Sequence, residues 1–183
     1  VSGINAIDLS DFNATQVERY YAEFDTEDIT VAPSSATFKL YGAGTSDDAD
    51  VICVEATFAS AGALTTGDWD SWDESSPVAY TNELETWDSS GYNTFTLTAA
   101  GLAAMASRDE FQMVCLEADN DYDQTSAGSG VADQTAGYCT SNIADAGKKP
   151  VLSYVAGTIT HADQNLNLKA GSLIINGGSV TIK

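Results

Sequence analysis

The sequence predicts an all-β chain: an antiparallel β-sandwich with one short helix and a C-terminal β appendage. Three observations predict it. Short runs rich in Val, Ile, Thr, Tyr and Phe recur along the chain, separated by clusters of Gly, Ser, Asp, Asn and Pro. Several runs alternate apolar and polar residues, the period of a sheet with one wet face. Hydrophobic residues make up 43% of the 183, enough to fill a core, and the length fits one main domain.

In chain order, strands are expected at 17–24, 36–41, 51–58, 92–97, 111–117, 137–140 and 151–154. Within 36–41, Ala36, Phe38 and Leu40 fall on one face, and Thr37, Lys39 and Tyr41 on the other. The Ala-rich TAAGLAAMA predicts a helix with Thr98 as its N-cap. A second helical turn is expected near 65–72, and long acidic loops at 43–50, 68–74 and 117–134. Composition shifts after Tyr154, so residues 1–155 form an acidic body and 156–183 an appendage. The appendage reads as three short strands, 166–168, 173–175 and 180–182, with a hairpin signal at Asn176-Gly177. Strands this short bury no core alone. They must pack on the body, on a neighbour, or in a small stacked layer.

The charge is uneven. The chain carries a formal charge of -20, with 27 acids against seven Lys and Arg. Residues 147–183 hold a single acid, Asp163, against Lys148, Lys149, Lys169 and Lys183. Such acidity excludes nucleic acid as a partner and disfavours an anionic membrane surface. It fits a soluble exterior protein, a high-salt habitat or divalent-cation binding. No apolar run reaches the roughly 18 residues a membrane span needs. The chain opens on Val1 without a signal-peptide pattern, as a processed product or a trimmed chain would. Cys53 and Cys115 lie inside the apolar runs VICV and MVCL, and Cys139 follows Gly137-Tyr138. One disulfide with one free thiol, or none, fits this spacing. With no CxxC and one histidine, no zinc cluster is expected.

Four blocks carry a resemblance. RYYAEFDTEDI from Arg19 and SATFKLYG from Ser35 resemble the "FDTS-x-I…ATLSLYG" core of DNRLRE-type, disaggregatase-related modules. GYNTFTLTAAGLA from Gly91 is similar to their "GYNxFTLNxxGL" step, and KPVLSY from Lys149 to their closing strand. The resemblance covers roughly residues 17–154. It implies a jelly-roll fold akin to carbohydrate-binding β-sandwiches. It also implies a non-catalytic, adhesive or structural role in secreted, cell-surface or phage structural proteins. Only 16 residues precede the matching region, fewer than in the family, so a first strand is expected to be missing or supplied by another subunit.

The residues that could carry chemistry are few. His161, the single histidine, has no nucleophile elbow near it, and no phosphate or dinucleotide loop is present, so no catalytic residue is expected. Asp119, Asp121 and Asp123 have the D-x-D-x-D spacing of a hard-oxygen calcium loop, with Asp133 as a later ligand. The bland alternative is a solvated acidic loop. Asp47-Asp48-x-Asp50 is a weaker candidate. Trp69, Trp72 and Trp87 are either glycan-stacking platforms or caps on the sandwich core. On a helical turn Trp69 and Trp72 would share a face. Assembly would use the appendage through Leu166, Leu168, Leu173, Ile175, Val180 and Ile182, with Lys169 and Lys183 facing an acidic body. The expectation is a non-enzymatic structural subunit of an exterior assembly such as a virion decoration or fibre, a filament or a sheath. Its partners would be copies of itself, or a glycan or host surface. The alternative is a calcium-stabilised carbohydrate-binding module.

Overall fold

A computed structural model describes residues 8–10, 19–42, 50–60, 63–124, 134–138 and 144–158. The described residues fold as two antiparallel sheets with one α-helix. The strands are β1 (Asp8–Ser10), β2 (Tyr20–Asp25), β3 (Ser35–Gly42), β4 (Val51–Glu55), β5 (Tyr92–Thr96), β6 (Glu110–Glu117), β7 (Gln134–Tyr138) and β8 (Val151–Val155). One sheet holds β2, β6 and β4 in that order. The other is built on β3. β5 pairs along one side of β3, and β8 and β7 both pair with it, β7 in turn meeting β1. Ahead of the region of resemblance the chain contributes the short strand β1, which pairs antiparallel with β7.

Alternation in the sequence becomes burial in the sheet built on β3. Ala36, Phe38 and Leu40 are buried, while Thr37, Lys39 and Tyr41 between them are half-buried. In β5, Asn93 and Phe95 are buried and Tyr92, Thr94 and Thr96 are exposed. The inner faces of both sheets form one core, in which Phe38 meets Tyr20, Phe24 and Phe95. Each fully buried large side chain there contributes roughly 1.5–3 kcal/mol of transfer free energy.

The three-stranded sheet is dry on both faces. Phe111, Met113 and Cys115 of β6 face the shared core. Val114 and Leu116 point the other way, into a second core with Tyr21, Ile52, Val54, Phe58 and Trp72. The segment following β4 covers that outer face. Gln112 pins it there: its amide donates to Phe58 O at 2.8 Å, and its Oε1 accepts from Phe58 N at 3.2 Å.

Cys53 and Cys115 form a disulfide across β4 and β6, where they stand directly opposite. The backbone explains why this pair can bond. Cys53 N donates to Thr81 Oγ1, and its carbonyl accepts from Tyr80 N and Thr81 N. Its backbone groups thus turn away from β6, leaving a non-hydrogen-bonded cross-strand pair, the kind with the closer side chains.

The helix α1 (Ala99–Ser107) starts as expected, with Thr98 Oγ1 accepting from Gly101 N at 3.2 Å. Gly101 is required by packing: a Cβ there would meet Tyr80 O at 2.5 Å. The helical turn expected near 65–72 is a 3-10 turn, Thr66–Asp70, closed by Asp68 bonding Thr65 N at 2.7 Å. The strand expected at 137–140 begins earlier, as β7. No helix among the described residues is long and apolar enough to cross a membrane. The appendage residues Leu166, Leu168, Lys169, Leu173, Ile175, Val180, Ile182 and Lys183 lie outside the described residues. So do Asp133, Cys139 and His161.

Candidate functional site

The outer face of the three-stranded sheet gathers most of the residues the sequence singled out. Arg19 precedes β2 and lies two residues before Tyr21, so both project to this face. The Arg19 side chain is buried and meets Asp121 edge-on, with Nε to Oδ2 at 2.8 Å and Nη2 to Oδ1 at 2.7 Å. Nη1 donates to Trp69 O at 2.8 Å, and Glu74 stands 3.9 Å from Nη2. The guanidinium also lies 4.2 Å from the Trp69 ring centre and 5.2 Å from that of Trp72. One cation therefore ties together β2, the turn after β6 and the 3-10 turn. Burial alone would lower the Arg19 pKa, but the hydrogen bonds and charge of Asp121 outweigh it and the pKa rises.

This geometry bears on two pairs of alternatives. Trp72 and Trp87 are buried, each 5% exposed, and so are not stacking platforms. Trp87 belongs to the inter-sheet core beside Phe95, away from the other two. Trp69 is exposed, and Arg19 lies over its ring. The D-x-D-x-D loop is split as well. It winds into one wide π-type turn, Ala118–Tyr122, which aims both oxygens of Asp121 at Arg19. Both Asp121 oxygens are thus engaged by Arg19, away from Asp119.

Asp119 instead joins Asp50 and Glu83, with carboxylate oxygens all within 4.8 Å of one another. Backbone pairing dictates the meeting. Asp50 precedes β4 and its carbonyl accepts from Ala118 N at 2.9 Å, while Val51 pairs on its other side with Leu84. Three chain segments thus deliver one acid each to the same end of the sheet. Desolvation, then repulsion by Asp50 and Asp119, raises the Glu83 pKa. Hard-oxygen sets of this kind suit calcium. Asp50 was legible as a weak candidate. Glu83 was not, because its partners lie far away in sequence.

Beside Trp72 the covering segment leaves a cavity of about 310 Å3. It is framed by two backbone bonds, Thr57 N to Ser71 O at 2.8 Å and Glu55 N to Val78 O at 2.9 Å. The sequence singled out Trp72 but not the cavity, since its walls come from two segments, residues 55–57 and 71–78. Compared with known proteins, the chain matches no family model, no curated protein and no solved structure.

Proposed function

We propose that the chain is a non-catalytic structural subunit of an exterior assembly, joined copy to copy by strand addition at the outer edge of β8. The observation that carries this reading is the state of β8. It pairs with β3 on one side, and no strand among the described residues pairs with its other side. Leu152 reaches the shared core, whereas Tyr154, on the same side of the strand, is 50% exposed, and Val155 is 60% exposed. Uncovered apolar edges are what proteins normally blunt or use for pairing. β8 leads directly toward the appendage, whose short apolar runs and lysines complement an apolar edge on an acidic body. The disulfide fits an oxidising, extracellular setting. Kinship with the DNRLRE-type jelly-roll modules would place the subunit on a cell surface or virion.

The test is mass in solution at moderate salt. The full chain is expected to form oligomers or polymers, and deletion of residues 158–183 or Tyr154→Lys to leave monomers. A full chain that stays monomeric, or a deletion that leaves assembly intact, sinks the reading.

A second reading, calcium stabilisation, rests on Asp50, Glu83 and Asp119. Calcium is expected to raise the melting temperature, and Glu83→Gln to abolish that rise. Melting unchanged by chelator and by added calcium removes this reading.

A further inference from the structure

We infer that the solvent face of the sheet built on β3 is a docking surface for the acidic surface of a second copy of this chain. This contact rests on the self-assembly reading, but it uses a sheet face and not the edge of β8. Register fixes what the face presents, because residues directly opposite in a sheet point the same way. Phe38 lies opposite Leu152 and Phe95, all turned to the core. Lys39 then lies opposite Val151 and Thr94, and Tyr41 opposite Tyr92, all turned outward. Val155, four residues on from Val151, shares their side. Val151, Val155 and Tyr92 make up half of the large apolar side chains exposed among the described residues, so exposed apolar bulk is concentrated here.

Positive charge gathers there too. Tyr41 and Tyr92 pack edge to face, with 5.4 Å between ring centres. Lys148 Nζ lies 5.1 Å from the Tyr41 ring centre, and the Tyr92 hydroxyl donates to Lys149 O at 2.8 Å. Lys39, Lys148 and Lys149, the three lysines among the described residues, thus stand on or beside this face. Asp145 lies 3.6 Å from Lys148, while Lys39 and Lys149 form no ion pair among the described residues. The two described arginines are engaged elsewhere, Arg19 with Asp121 and Arg108 with Glu55. Electrostatics then selects the occupant. Copies of a chain with net charge -20 repel wherever their acidic surfaces meet. Close contact is favoured where one copy brings lysines to the other's carboxylates, and apolar side chains beside those lysines add area to bury. Exposed pairs of this kind are individually weak, so the face adds to pairing at β8 and does not hold copies alone. A lysine face on an acidic face is a contact between unlike surfaces, which joins copies head to tail.

The experiment treats the full chain, mixed from 14N and 15N copies, with a zero-length carbodiimide, which joins a lysine amine to a carboxylate only where the two touch. Mass spectrometry is expected to find amides from Lys39 or Lys149 to carboxylates of the other copy, with Lys148 to Asp145 of the same copy as internal control. An amide from Lys39 or Lys149 to Asp163 of the same copy places the chain's own appendage on the face and overturns the proposal. So does the absence of amides between copies from both lysines. Association is then measured by sedimentation at about 0.15 M salt, where charges are screened over about 8 Å. Lys39→Gln with Lys149→Gln is expected to weaken association about tenfold. Lys39 lies opposite uncharged Thr94 and Val151, so its loss leaves no acid stranded in the sheet. Ala63→Glu with Thr66→Glu reaches the same net charge on the opposite side of the sandwich, beside Leu64, and is expected to weaken association far less. Equal weakening by the two pairs, or none by the lysine pair, overturns this contact while leaving assembly at β8 standing. A full chain that never associates removes the self-assembly reading and this contact together.

Discussion

The two sheets are made of similar residues but use them differently. The sheet built on β3 keeps one face toward solvent, so every second residue of β3 and β5 is polar or exposed. The three-stranded sheet is buried twice, and six consecutive residues of β6, Phe111 to Leu116, are buried. The first sheet needs one core, and its strand β8 has one side that pairs with no strand among the described residues. The second needs a cover, and that cover brings Arg19, Asp121, Trp69, Trp72 and the cavity with it. A sheet with two dry faces thus creates buried polar chemistry, because the loops that cover it carry polar groups inward.

The sharpest break in this contrast is the disulfide, found only in the twice-buried sheet among the described residues. Its sequence separation of 62 residues implies that removing it, as Cys53→Ala with Cys115→Ala, costs about 4 kcal/mol in urea unfolding. Next is the buried ion pair of the cover. Asp121→Ala strands the Arg19 charge and is expected to cost about 3 kcal/mol, read in the same way. Leu116→Ala, on the outer face of β6, should also cost about 3 kcal/mol, which a solvent-facing position would not.

A smaller effect lies in alkaline pH. Burial, above all other causes, raises the Tyr80 pKa from 10.0 to about 12. The fold holds that proton more tightly than the unfolded chain does. The resulting stability is intact below pH 10 and is lost as pH climbs through 12. Tyrosine absorbance titration is expected to show a late step that coincides with loss of tertiary circular dichroism, and Tyr80→Phe to diminish it. The smallest effect belongs to the wet face: Lys39→Ala is expected to change stability by no more than about 0.5 kcal/mol. A cost there as large as that at Leu116 would erase the distinction between the sheets.

Much of the fold was legible because strand periodicity is local. The alternation at Ala36–Leu40 and the Thr98 cap each depend on a few neighbouring residues. The short strand β1 and the bridges of Val51 to Leu84 and Val54 to Ala79 were not legible, since their pairing comes from distant partners. The site was less legible than the fold. D-x-D-x-D spacing drew attention to Asp121 but did not reveal its bonds to Arg19. A carboxylate's role depends on which charge reaches it, and Arg19 is 102 residues away. The two tryptophans three apart do share a cation, yet one is buried and the other exposed.

The sequence by itself determined an all-β chain with its described strands other than β1, the helix α1 and its acidic excess, because period, turn chemistry and composition are properties of the chain alone. Only the tertiary structure decided which apolar runs are buried on both faces, which cysteines bond and which acids converge. Those outcomes depend on register and layer packing, where residues far apart in sequence are set within a few ångströms of one another.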